Sequence, residues 1–144
     1  GEELILFHNR ECSLLAVKAG ESISVYSNDS LAAENTAIKA YNKENFNLPV
    51  HTQPLQNIMW FKNKKILVLD SIAMYPANIR PDVLLLTQSP KLNLDRVLKQ
   101  LKPNQVVADG TNYKSYVDRW KSTCKKYNIL FHSTTQEGFF NIDQ

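Results

Sequence analysis

The run Asp82-Val83-Leu84-Leu85-Leu86-Thr87 constrains the fold more than any other part of this chain. Its aliphatic residues are consecutive rather than alternating, which suits a strand covered on both faces. The next segment supplies a cover. Leu94, Val97, Leu98 and Leu101 recur at i, i+3, i+4 and i+7, Asn93 stands where an N-cap belongs, and Pro103 lies just past the end, so a helix is expected here. Val106 to Ala108 reads as another short buried strand, stopped by Asp109-Gly110. From Tyr113 to Tyr127 the period is again helical: Tyr113, Tyr116, Val117, Trp120, Cys124 and Tyr127 share a stripe about 100° wide, as on a helix packed against a sheet. Strands at Ile129 to His132 and Phe139 to Ile142 close the chain.

The first half has a different rhythm. Leu4 to His8 reads as a strand. Ser13 to Lys18 and Ser22 to Tyr26 read as a hairpin around Ala19-Gly20-Glu21, where Gly20 supplies the positive φ of a short loop. Asp29 or Ser30 is placed to cap a helix running to about Phe46, with Leu31, Ile38 and Tyr41 as its apolar stripe. Pro49 and Pro54 mark a loop, and Ile58 to Phe61 with Lys65 to Leu69 form a second hairpin around Lys62-Asn63-Lys64. The expected fold class is therefore α/β: mixed sheet or sheets with helices packed outside, in a single domain over residues 1–144.

Composition narrows the function classes. Apolar residues at 43% and charged residues at 22% belong to a folded globular chain. The longest apolar runs fall far short of the roughly 20 residues a bilayer span needs. Cys12 and Cys124 are too few for a zinc cluster; a buried reduced pair is the expected state, with a single Cys12–Cys124 bridge as the alternative in an oxidising compartment. The net charge of +3 is uneven: residues 1–72 net −1 and residues 73–144 net +4. Gly1-Glu2-Glu3 opens the chain without Met and without a basic or apolar leader pattern, so the natural polypeptide is expected to extend upstream.

Several motifs recur together in the second half: Asp82 to Lys91, Leu101-Lys102-Pro103, Gln105 to Tyr113, Phe131-His132-Ser133-Thr134 and Glu137-Gly138-Phe139. In order and spacing this set resembles the C-terminal metallo-β-lactamase-like domain of ComEC-family competence proteins. The first half is similar more loosely, through Lys65 to Ser71 and the opening strands. The resemblance implies a truncated metallo-β-lactamase-like fold. It also implies a soluble domain at the C-terminal part of a larger polytopic protein of the inner (cytoplasmic) membrane, a channel that imports single-stranded DNA during transformation.

One departure matters chemically. In that family the strand matching Val83 to Leu86 runs into His-His-Gly-Ser, whose histidines help bind two catalytic metals; here the stretch is Thr87-Gln88-Ser89-Pro90. A His-x-His-x-Asp-His motif is also absent, and His8, His51 and His132 are isolated. Two-metal hydrolysis needs several His and carboxylate ligands around cations about 4 Å apart. The resemblance is therefore to a divergent branch lacking the metal motif. The expected role is non-catalytic guidance of DNA or a partner protein, with no metal and no small-molecule cofactor. Its partners would be single-stranded DNA and the membrane channel part of the same polypeptide.

Candidate residues follow on two surfaces. Asp70, Thr87, Asp109 and His132 stand at or near the carboxyl ends of expected strands, where open α/β sheets bind ligands. Ordinary turn chemistry accounts for the same residues, with Thr111 or Asn112 as a helix cap. Lys114, Lys121 and Lys125 fall within about 40° of one another on the helical wheel and form a basic ridge suited to phosphates. Lys62 and Lys64, with Trp60 and Phe61 on the second hairpin, are a further nucleic-acid candidate, although packing on a core uses the same aromatics and is the simpler reading. Two rival functions remain: a metal-dependent nuclease or phosphodiesterase with an atypical site at Asp70, Asp109 and His132, and a purely structural interaction domain.

Overall fold

A computed structural model describes residues 1–144. The chain forms ten strands and four α-helices: β1 (Glu3–Phe7), β2 (Leu14–Ala19), β3 (Ser22–Ser27), α1 (Thr36–Glu44), β4 (Val50–Pro54), β5 (Ile58–Phe61), β6 (Lys64–Leu69), β7 (Val83–Leu86), α2 (Leu94–Leu101), β8 (Gln105–Ala108), α3 (Lys114–Lys126), β9 (Leu130–Ser133), α4 (Thr134–Glu137) and β10 (Phe140–Asn141). They build two five-stranded sheets. The first has the order β10-β1-β2-β3-β4, antiparallel except for the β3–β4 pair. The second has the order β5-β6-β7-β8-β9, parallel except for the β5–β6 hairpin. The α/β class expected from sequence is thus realised as two mixed sheets.

Alternation along each strand sorts its side chains into layers. Leu4 and Leu6 of β1, Met59 and Phe61 of β5, Ile66 and Val68 of β6, and Val83 and Leu85 of β7 meet between the sheets. The intervening Leu67, Leu69, Leu84 and Leu86 turn outward under α2 and α3, against Val97, Leu101, Val117 and Trp120. On the far side, Ile5, Leu14, Ala16, Ile23 and Val25 pack under Ile38 and Tyr41 of α1. The result is four layers, helix–sheet–sheet–helices, which explains why Val83 to Leu86 reads as uninterrupted apolar sequence.

Local chemistry sets the boundaries. Asn93 Oδ1 accepts from Arg96 N at the start of α2, and Lys102 ends it in the left-handed conformation before Pro103. Gly20 turns the first hairpin at φ 62°, and Lys62 and Asn63, both at positive φ, turn the second as a short hairpin requires. The cap of α1 differs from expectation. Asn35, not Asp29 or Ser30, accepts from Ala37 N, because residues 32–34 first form a single 3₁₀ turn to which Asp29 contributes by accepting from Leu31 N. Leu31 is consequently exposed rather than part of the stripe. The loop expected between Pro49 and Pro54 is instead β4, an edge strand, which tolerates a terminal proline because its outer side needs no hydrogen bonds. The short helix α4, between the last two strands, was not expected from sequence. Cys12 and Cys124 are both free and buried, the first in the core under α1 and the second on the inner face of α3. Burial pushes the Cys124 thiol up to about 12, which makes it inert as a nucleophile.

Candidate functional site

The parallel strands of the second sheet end in register. Leu69, Leu86, Ala108 and Ser133 lie side by side across β6, β7, β8 and β9, so the residues that leave the sheet are Asp70, Thr87, Asp109 and Thr134. Three of the four residues expected at this edge are therefore neighbours on it. His132 is not. It lies within β9, opposite Val107, its ring edge-on to Phe140, and its Nε2–H donates to the Gly138 carbonyl at 2.9 Å. Thr134 takes the fourth place and shares a 3.1 Å hydrogen bond with His8 Nδ1 from the end of β1.

Asp109 is the centre of the edge, and it is 1% exposed. Ser13 Oγ donates to Oδ2 at 2.6 Å, while Thr111 donates its backbone N–H at 3.1 Å and its hydroxyl at 2.5 Å to Oδ1. Burial pushes the carboxyl up to about 6, and the bonds from Ser13 and Thr111 pull in the opposite direction without cancelling it. Its lone pairs are occupied by protein donors. The adjacent Gly110 lets the loop after β1 lie directly on this turn: a Cβ there would stand 2.6 Å from the Asn9 carbonyl oxygen and 2.6 Å from His8 Cε1. His8 and Ser13 stand at the two ends of the loop joining β1 to β2 of the first sheet, so Asp109 and Gly110 fasten one sheet to the other.

The loop after β7 is sewn to the same turn. Gln88 and Ser89 are both left-handed, at φ 59° and 52°, a conformation that costs a non-glycine residue about 1–2 kcal/mol. Hydrogen bonds hold it: Gln88 N donates to Thr111 Oγ1 at 2.7 Å, Ser89 N to Asn112 Oδ1 at 2.8 Å, and Tyr113 N to Ser89 Oγ at 2.8 Å. Asn112 Nδ2 in turn donates to the carbonyls of Leu86 and Asp109. Thr111 or Asn112 was expected to cap α3; instead both clamp two loops together, and Tyr113 stands at the N-cap with no side-chain capping hydrogen bond. Thr87 is wholly buried, so it lines no opening. Asp70 and Gln88 do: with Asn28, Ser30, Thr52 and Gln53 they border an open groove of about 530 Å³ on the seam between the sheets.

The two metals implied by the family resemblance do not fit these residues. Nowhere in the chain do three His, Cys, Asp or Glu side chains gather as a metal ion requires. The trio Asp70, Asp109 and His132 is not such a group, and at the motif position the side chains are hydroxyl and amide.

The basic residues divide into two groups. On α3, Lys114 pairs with Asp118 at 2.9 Å, Lys121 donates to Gln136 Oε1 at 3.1 Å, and Lys125 is exposed. At the β5–β6 turn, Lys62 pairs with Asp143 at 3.1 Å and Lys64 Nζ donates to the Ile142 carbonyl, which anchors the C-terminal residues. The expected packing of this hairpin is half right: Phe61 is in the core, whereas Trp60 is 64% exposed. What sequence reasoning missed are Ser13, His8 and Thr134, and no local signal marks them; Ser13 and Asp109 are 96 residues apart.

Comparison with known proteins gives a single kind of match. Neither the curated proteins nor the solved structures yield one. A family model does, that of the ComEC C-terminal domain, over residues 4–144. No helix of the chain is long and apolar enough to cross a membrane. Since the family model spans nearly the whole chain, this protein belongs to the ComEC C-terminal domain family of inner-membrane competence proteins, whose task is DNA uptake.

Proposed function

We propose that this domain handles DNA during uptake without cutting it, presenting phosphate-binding lysines while the edge that would hold catalytic metals serves as an internal clamp. The observation that carries this reading is the state of Asp109, a carboxylate sealed at the seam by Ser13 and Thr111 and part of no group of three His, Cys, Asp or Glu side chains that could hold a metal ion. Ser89 supports the family assignment of the same turn, because it stands at the glycine of the His-His-Gly-Ser pattern and keeps a left-handed φ of 52°.

DNA would meet the ridge of Lys114, Lys121 and Lys125 on α3. The contacts of Lys114 and Lys121 there are single and exposed, and exposed ion pairs contribute only about 0–1 kcal/mol, so phosphates can displace them. Fluorescence anisotropy with a single-stranded oligonucleotide at rising salt tests the reading. Wild-type protein should bind at low salt. Replacing all three lysines with alanine should flatten the slope of log K against log salt by about 2, since each single-strand phosphate contact contributes about 0.7. Absence of binding at low salt would remove the DNA role and leave a structural interaction domain.

A further inference from the structure

Beyond the α3 ridge, we infer that the outer face of the β5–β6 hairpin is a stacking platform for the bases of single-stranded DNA, with Trp60 as the stacking surface and Lys65 as its phosphate partner. The inference rests on the DNA-handling reading and names a second contact within it.

The platform follows from the layer arrangement. β5 is an edge strand whose Met59 and Phe61 enter the layer between the sheets, so Ile58 and Trp60 must face the other way. That is the face α2 and α3 cover over β6, β7 and β8, but β5 contributes nothing to their core. Trp60 is left 64% exposed, and Ile58 beside it on the same face is exposed as well, whereas Met59 and Phe61 are buried. Lys65, directly across the hairpin, places its Nζ 4.9 Å from the indole centroid.

Charge chooses the occupant. Lys62, Lys64 and Lys65 fall within four residues of sequence. Of the nearby acids, Asp143 is already paired with Lys62, and Asp82 is turned to the backbone N–H of Lys65 and the Asn104 amide. An exposed indole with one lysine over its ring, on a hairpin that carries two further lysines, matches unpaired bases on a polyanion; a duplex hides its base faces in its own stack and offers the indole nothing.

Tryptophan fluorescence reads this contact directly, because the chain has only two tryptophans and Trp120 is 1% exposed. Titration with oligothymidylate at low salt should quench and blue-shift the exposed-tryptophan emission, and a duplex of equal length should do so far less. Trp60→Ala should weaken single-strand binding about 5- to 150-fold without changing the melting temperature, while Trp60→Phe should lose less because it keeps a π-face. If wild-type protein binds the single strand but Trp60→Ala binds equally well, the platform is refuted and the α3 ridge alone carries DNA. If wild-type protein does not bind at all, both the platform and the reading beneath it fall.

Discussion

Gly110→Ala is expected to lower the melting temperature by about 10 °C, corresponding to roughly 3 kcal/mol lost. The site has ordinary backbone geometry, so the loss is steric. The new Cβ would stand 2.6 Å from the Asn9 carbonyl oxygen, which belongs to backbone and cannot swing aside as the His8 ring can. Relief requires the loop after β1 to lift off the edge, carrying Ser13 away from Asp109 and His8 away from Thr134. Differential scanning calorimetry measures the loss, and a melting temperature within about 2 °C of wild type would mean the two sheets are not fastened at this point.

Asp109→Asn should change the pH dependence of stability by a comparable amount. Asp109 has an ordinary carboxyl value of 3.8 and is raised to about 6 by burial in the folded chain. Because the raised group binds its proton more tightly folded than unfolded, its favourable contribution is complete below about pH 4. It is lost as pH rises through about 6, beyond which the buried charge weighs against folding by about 3 kcal/mol. The asparagine variant carries no such proton. Its melting temperature relative to wild type should therefore rise between pH 4 and pH 7, by roughly 8–12 °C, whatever constant offset the altered hydrogen bonds introduce. A difference that stays flat across this window would place Asp109 in contact with water rather than in the clamp.

Much of the second sheet was legible because its signals are local. Val83 to Leu86 has no alternation, α2 carries its cap and its i, i+3, i+4, i+7 residues within one short segment, and α3 shows a stripe of six apolar or aromatic positions of which Val117, Trp120 and Cys124 are buried. β4 escaped because an edge strand paired on one side needs little apolar sequence and accommodates Pro54. The start of α1 shifted from Asp29 to Asn35 because two Asx caps lie six residues apart and tertiary packing, not propensity, chose between helix and 3₁₀ turn. Trp60 was assigned to the core because alternation alone does not say how far α2 and α3 extend over the sheet.

The site was legible only in half. Asp70, Thr87 and Asp109 could be placed on one edge because each follows an apolar strand, but what Asp109 does there depends on Ser13, and nothing around Ser13 announces a partner on another sheet. The missing histidines were readable from the motif itself. Their structural sequel was not: Thr111 and Asn112, which sequence assigns to a helix cap, hold the left-handed Gln88-Ser89 turn in place.

If the domain engages DNA while the edge at Asp109 is closed by hydrogen bonds, binding and cleavage should separate. Incubating the purified domain with end-labelled single-stranded DNA in Mn²⁺ or Zn²⁺, and following binding and strand length in the same samples, tests it most directly. Bound DNA of unchanged length in either metal is the expected result. Metal-dependent shortening of the strand that disappears in Asp109→Asn would contradict it.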